Sequence, residues 1–151
     1  MKVLMINGSP RSNGCTYTAL REMGDQFNIL GVGYEIINIG ASAASAAESI
    51  SGCDACRACR ATGVCIKDDL ANIVHKKLEK CDALVIGSPV YFASPNGTLL
   101  SLLDRVFYMR GKYAHKPAAA IVSARRAGTT AALAVLQKHF TISSKPLRWH
   151  T

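Results

Sequence analysis

Four short apolar runs alternate with segments whose apolar residues recur at helical spacing, and that alternation restricts the fold more than any other feature of the chain. Lys2–Ile6 is apolar after its lysine, as expected of a strand buried on both faces of a parallel sheet. Leu20, Met23, Phe27 and Leu30 then recur at steps of three and four, predicting a helix that Gly31 and Gly33 end. Tyr34–Ile39 and Ala83–Ile86 read as the second and third strands. The helix between them starts at Asp68 or Asp69, turns Leu70, Ile73, Val74 and Leu78 to one side, and carries Lys76, Lys77 and Lys80 in its last turn. Ser94-Pro95 reads as the N-cap and first residue of a further helix with Leu99, Leu103, Val106 and Phe107 on its apolar face. Ala118–Val122 is the fourth strand, and Leu133, Leu136 and Phe140 mark the helix after it. Strands and helices in strict alternation imply right-handed βαβ units, an α/β chain with an open parallel sheet covered by helices on both faces. Ala41–Ile50, rich in Ala and Ser, reads as a surface loop or weak helix.

Such sheets bind ligands outside the carboxyl ends of their strands. The first strand ends in Asn7-Gly8-Ser9-Pro10-Arg11-Ser12-Asn13-Gly14-Cys15-Thr16, and a helix follows at once. Glycines allow a tight turn, and successive N–H groups at a helix N-terminus form an anion-binding nest. Ser9, Ser12 and Thr16 add hydroxyl donors, and Arg11 adds a fork for phosphate oxygens. The loop is neither Gly-x-Gly-x-x-Gly nor a P-loop ending in Gly-Lys-Ser/Thr, which counts against dinucleotides and nucleoside triphosphates. A plain strand–helix turn with a polar cap is the alternative.

The second signal is Cys53-x2-Cys56-x2-Cys59-x5-Cys65. Thiolates two residues apart wrap a compact centre, and a fourth further on closes a four-sulfur shell, as in ferredoxin-type [4Fe–4S] clusters. Structural zinc more often uses two Cys pairs separated by a longer insert. Free thiols and a redox disulfide are the other readings. Cys15 and Cys81 stand outside the spacing, and Cys81, directly before the third strand, reads as a small buried residue. The four histidines form no ligand spacing, and no Ser/His/Asp or paired-carboxylate arrangement supports hydrolysis.

Composition closes off other classes. At 151 residues, 49% hydrophobic and 19% charged, the chain is one ordinary globular domain in length. Its first apolar run is too short for a signal core, and no stretch approaches the about 20 apolar residues of a membrane helix. A cytoplasmic location and no membrane partner are expected. The net charge of +8 suits anionic cofactors and substrates. Without a recognition helix, an RNA-binding aromatic motif or a Lys/Arg run, no nucleic-acid partner is expected.

Three motifs in order, each after an expected strand, resemble the NADPH-dependent FMN reductase family of flavodoxin-like proteins. They are Gly8-Ser9-Pro10-Arg11 through Thr16, Gly87-Ser88-Pro89-Val90-Tyr91-Phe92, and Ser123-Ala124-Arg125-Arg126-Ala127-Gly128-Thr129. The resemblance runs from Met1 to about Ile142. It implies a flavodoxin-like three-layer α/β/α sandwich with strand order 2-1-3-4-5 and FMN as cofactor. Ser9, Arg11, Ser12, Asn13, Cys15 and Thr16 would hold the FMN phosphate; many relatives carry Asn or Ser where this chain has Cys15. Pro89, Val90, Tyr91 and Phe92 would form the loop against the isoalloxazine ring, with Asn96 and Gly97 near its edge. Ser123, Arg125, Arg126, Gly128 and Thr129 would lie along its pyrimidine side, where a cation stabilises the anionic reduced flavin. The cysteine run resembles the iron–sulfur flavoproteins of the same family, implying a cluster on Cys53, Cys56, Cys59 and Cys65.

The resemblance further implies an FMN-dependent oxidoreductase. NAD(P)H or a protein would donate electrons, and a small molecule or redox protein would accept them. A non-enzymatic electron carrier and a flavin-free metal-binding module are the alternatives. No catalytic acid or base is named, because hydride transfer to flavin needs none. After Phe140 too little sequence remains for both a fifth strand and a last helix. The expectation is therefore a single FMN-binding domain over 1–151 with a Cys-rich insert at 53–65, short at its C-terminal end. An uncovered sheet edge would favour a homo-oligomer, a dimer or tetramer.

Overall fold

The structure, a computed structural model, describes residues 1–40, 50–109 and 111–144. In chain order the elements are β1 (Lys2–Asn7), α1 (Cys15–Ile29), β2 (Gly33–Asn38), α2 (Cys59–Thr62), α3 (Leu70–Lys80), β3 (Ala83–Tyr91), β4 (Ser94–Pro95), α4 (Gly97–Tyr108), β5 (Ala118–Ser123) and α5 (Thr129–Ser144). β1 pairs in parallel with β2 and β3, and β3 in parallel with β5, giving the order β2-β1-β3-β5. This is the flavodoxin-like α/β arrangement, with β5 in the place of the fourth expected strand. A fifth parallel strand is absent from the described residues. Most of the Ala41–Ile50 stretch lies outside them, and after Phe140 the chain continues in α5 to Ser144.

The alternating side chains of β1 and β3 build the two faces. Val3, Met5, Ala83 and Val85 pack with Leu20 of α1, and Met23, Phe27, Tyr34 and Ile36 close that layer. Leu4, Ile6, Leu84 and Ile86 face the other way, against Val74 and Leu78 of α3, Leu102 and Val106 of α4, and Leu136 and Phe140 of α5. Asp69 is the N-cap of α3, its side chain accepting from Ala71 N at 2.9 Å.

Three expectations need correction. Leu30 is 74% exposed, because α1 stops at Ile29 and the N–H groups of Gly31 and Val32 turn back to the carbonyls of Asn28 and Phe27. Ile73 is 49% exposed, and Ala71 and His75 take the buried side of α3 in its place. Ser94-Pro95 does not start α4. β3 continues through Tyr91, reverses at Phe92-Ala93 and returns as β4, with Val90 opposite Pro95 and Tyr91 opposite Ser94. Asn96 is the N-cap instead, accepting from Thr98 N at 2.9 Å.

Candidate functional site

The carboxyl ends of β1, β3 and β5 present three loop segments that are bonded to one another. Asn7, fully buried at the end of β1, folds the first. Its Oδ1 accepts from Ser9 N at 3.2 Å, while its Nδ2 donates to Asn38 Oδ1 at 2.7 Å and to Arg11 O at 3.4 Å. Ser9 Oγ accepts from Arg11 N at 3.1 Å, closing a tight bend. Arg11, Ser12, Asn13 and Cys15 are exposed around the N-terminus of α1, whereas Ser9 and Thr16 are buried. The N-cap, Gly14, has no side chain to offer, and no acidic residue lies in the first turn. α3 and α4 carry side-chain caps, so α1 is the long helix start among these that leaves its N–H groups for an anion.

The second segment leans on the first. Gly8 N donates to Gly87 O at 2.7 Å, and a Cβ at Gly8 would stand 2.7 Å from that backbone oxygen, so the close approach to β3 requires glycine. Asn96 Nδ2 donates to Gly8 O at 2.9 Å, and Asn96 N donates to the buried Ser88 Oγ at 3.0 Å. With Oδ1 accepting from Thr98 N, both polar ends of the Asn96 side chain are bonded inside the protein, and its role is to position the loops. Gly97 is exposed beside it. Pro89 and Val90 are half-buried, Tyr91 is exposed, and Phe92 projects fully into solvent from a turn in which Phe92 (φ 47°) and Ala93 (φ 58°) are both left-handed. Two such residues in a two-residue hairpin match the strand twist, but without glycine they store strain of a kind found at ligand sites.

The third segment closes the group. Ser123 Oγ lies 2.8 Å from Thr16 Oγ1. Gly128 (φ 93°) sits under the hairpin, where a Cβ would approach Ala93 Cα to 2.6 Å. Val90, Phe92, Ala93, Arg125, Arg126 and Gly128 line one wide groove. Arg125 and Arg126 are exposed there and pair with no carboxylate among the described residues. Thr129 opens α5. The uncapped start of α1 is tied to this edge of the sheet through Thr16 and Ser123, so a helix N-terminus, an aromatic tip and two exposed cations lie on neighbouring loops, chemistry suited to a flat anionic cofactor that carries a phosphate.

The cysteine run makes a separate site. Cys53, Cys56, Cys59 and Cys65 line a single small cavity together with Asp54, Arg57, Lys67, Arg105 and Tyr108. Left-handed Ala55 (φ 53°) and Arg57 (φ 63°) curl the backbone around it. None of the six cysteines is paired in a disulfide. Burial, and then the neighbouring Cys65, Cys53 and Cys56, push the Cys59 thiol above its ordinary pKa. Among the described residues no three His, Cys, Asp or Glu are arranged to hold one metal ion. Four soft sulfurs lining one cavity are the donor type that iron–sulfur clusters and zinc both use. Asn72 holds Cys65 from both sides, accepting from its N–H and donating to its carbonyl, each at 2.9 Å.

Asn72 and Arg105 lie outside the sequence motifs, and Asn7 and Ser88, though inside them, carry no assigned role there. Arg105 left one signal, a charge on the apolar stripe between Leu102 and Met109.

Residues 1–148 match the family model of NADPH-dependent FMN reductase. An iron-sulfur flavoprotein of Methanocaldococcus jannaschii is 32% identical over 151 residues, covering 95% of this chain and 74% of the relative. An iron-sulfur flavoprotein of Archaeoglobus fulgidus is 34% identical over 106 residues, 70% of this chain and 48% of the relative. Among solved structures, RosB with bound 8-demethyl-8-formylriboflavin-5′-phosphate superposes with a TM-score of 0.74 at 15% identity, over 95% of this chain and 60% of that one. The chain thus spans about half the length of the second curated relative and 60% of the RosB chain. No described helix is long and apolar enough to cross a membrane.

Proposed function

The chain belongs to the NADPH-dependent FMN reductase family, and from that premise we propose that it is an FMN-dependent oxidoreductase, one domain in which a flavin site is served by a cysteine-held [4Fe–4S] cluster. The observation that carries the flavin reading is the convergence of the β1, β3 and β5 loops through the Thr16–Ser123 and Asn96–Gly8 bonds. When bound, FMN supplies hydride acceptance and one-electron transfer, chemistry that belongs to the cofactor. The chain's own residues bind and orient it. The N–H groups at the start of α1, with Arg11, Ser12, Asn13 and Thr16, hold the phosphate. Pro89–Phe92 shield one side of the ring, and Arg125 and Arg126 set positive charge on its pyrimidine side. Ser9 and Asn96 keep these loops in register. NAD(P)H or a reduced protein is the donor, and a small molecule such as a quinone or free flavin the acceptor.

Cys53, Cys56, Cys59 and Cys65 hold the cluster, a reading supported by their shared cavity and by the iron–sulfur flavoprotein relatives. Anaerobic purification with flavin, iron and sulfide quantified tests both cofactors. Iron without flavin after reconstitution would overturn the main reading, and flavin without iron would remove the cluster. Steady-state NADH and NADPH oxidation with a quinone or free flavin then tests the enzyme. A flavin-loaded protein that does not turn over is an electron carrier instead.

A further inference from the structure

We propose that Arg105 is a positioning residue of the cysteine site: its buried guanidinium fixes the Cys65 sulfur and holds positive charge beside the centre the four cysteines carry, making that centre easier to reduce. The inference rests on the cluster reading above. The side chain of Arg105 is 1% exposed. Removing a guanidinium from water is costly unless partners replace the hydration, so each contact matters. Asp69 takes two, with Nη1–Oδ2 at 2.5 Å and Nη2–Oδ1 at 2.9 Å. The carbonyls of Ser51 and Lys67 take one each, at 3.3 and 3.2 Å. Those four bonds staple α4 to the chain on either side of the cysteines, and a purely structural arginine needs nothing further.

Two features exceed that staple. Nη2 also donates to Cys65 Sγ at 3.2 Å, and Nε is buried with no partner among the described residues, in a side chain that lines the cysteine cavity. A buried N–H without an acceptor is unfavourable. Anionic sulfur in the cavity would give it one. The cavity wall also leans positive. Lys67 is paired with Asp54 at 2.7 Å and Arg105 with Asp69, while the exposed Arg57 has no carboxylate partner among the described residues. Adding one electron to the cluster makes the centre one charge more negative. A cation and N–H donors aimed at its sulfurs therefore favour the reduced state. Asp69 opposes this by half-neutralising the arginine, which fixes the sign of two different substitutions.

The test uses protein reconstituted anaerobically with FMN, iron and sulfide, dithionite as the electron donor, and EPR to follow the cluster midpoint potential. R105Q is expected to lower the reduction equilibrium about tenfold, 59 mV for one electron, and R105K by less. D69N keeps Arg105 and a competent helix cap, so it guards against a misfolded R105Q. It is expected to move the potential upward. An R105Q protein with full iron and flavin and an unchanged potential would overturn the proposal. So would R105Q and D69N shifting in the same direction, because loss of packing alone does not reverse sign. Wild-type protein that takes up FMN but no iron would overturn the cluster reading and this inference with it. Iron-loaded wild type with an unresponsive R105Q overturns the arginine alone.

Discussion

Thr16 Oγ1 and Ser123 Oγ lie 2.8 Å apart although the two residues are 107 positions apart in the chain, so the first turn of α1 is tied to the carboxyl end of β5 by one hydroxyl pair. The two residues belong to separate motifs, and the bond makes them one surface. Thr16 is buried and Ser123 half-buried, so loss of either partner leaves the other short of a bond. T16V and S123A are each expected to cost about 1 kcal/mol in urea unfolding and to weaken FMN binding about tenfold in fluorescence titration. In a double-mutant cycle the effects should fall short of additive. Full additivity would show that the two hydroxyls act independently.

The hairpin tip stores strain that can be measured. Ala93 holds φ 58° with a side chain that gains nothing from it, and A93G is expected to raise stability by up to about 1 kcal/mol. G128A should do the opposite, costing about 2 kcal/mol or more, since its Cβ would meet the Ala93 backbone at 2.6 Å at a φ of 93°. Differential scanning calorimetry of the two variants reads both signs. A destabilised A93G would mean that the turn is not strained.

Glu35 sets an acid limb. The Lys77 hydrogen bond, then that of Lys2, hold its carboxyl below the usual range against the opposing effect of burial. A lowered folded pKa contributes stability that is present above the unfolded value and lost as pH falls through the folded one. With Glu35 partly exposed, the contribution is below about 1 kcal/mol. E35Q should therefore be less stable than wild type at pH 7, and the gap should close as pH falls below the ordinary carboxylate range. Urea midpoints at pH 7, 5 and 3 check this, and a gap constant across all three would refute it.

Cysteine reactivity separates the site from the core. Cys81 is 4% exposed, its thiol donates to the carbonyls of Leu78 and Ala83, and burial raises its pKa. Cys15 is exposed at the start of α1. Iodoacetamide at pH 8 is expected to label Cys15 at least about tenfold faster than Cys81, read by peptide mass spectrometry. Added FMN should slow labelling at Cys15 alone. Unchanged labelling with FMN bound would put the phosphate elsewhere.

Much of the scaffold was legible in the residues. The apolar run of β1, the helical spacing of Leu20 and Phe27, and the Asp69 cap each report a local preference, and local preferences survive folding when burial agrees with them. Where the reading failed, tertiary contact outweighed the local pattern. Gly87-Ser88-Pro89 looks like a loop, yet β5 pairs alongside it from Gly87 to Pro89 and keeps it in strand form. Ser94-Pro95 looks like a helix start, yet pairing with Val90 and Tyr91 draws it into a ribbon and passes the cap to Asn96.

The sequence by itself determined the βαβ alternation, the polar turn after β1 and the four-cysteine spacing, because periodicity and short-range spacing are properties of consecutive residues. Only the tertiary structure decided which groups meet. Thr16 faces Ser123, Asn96 grips Gly8, and Arg105 reaches Cys65, since strand order and helix packing, not spacing along the chain, set those distances. It also decided that a charge sits inside the apolar stripe of α4, where burial is tolerable only because Asp69, the carbonyls of Ser51 and Lys67 and the Cys65 sulfur converge on it.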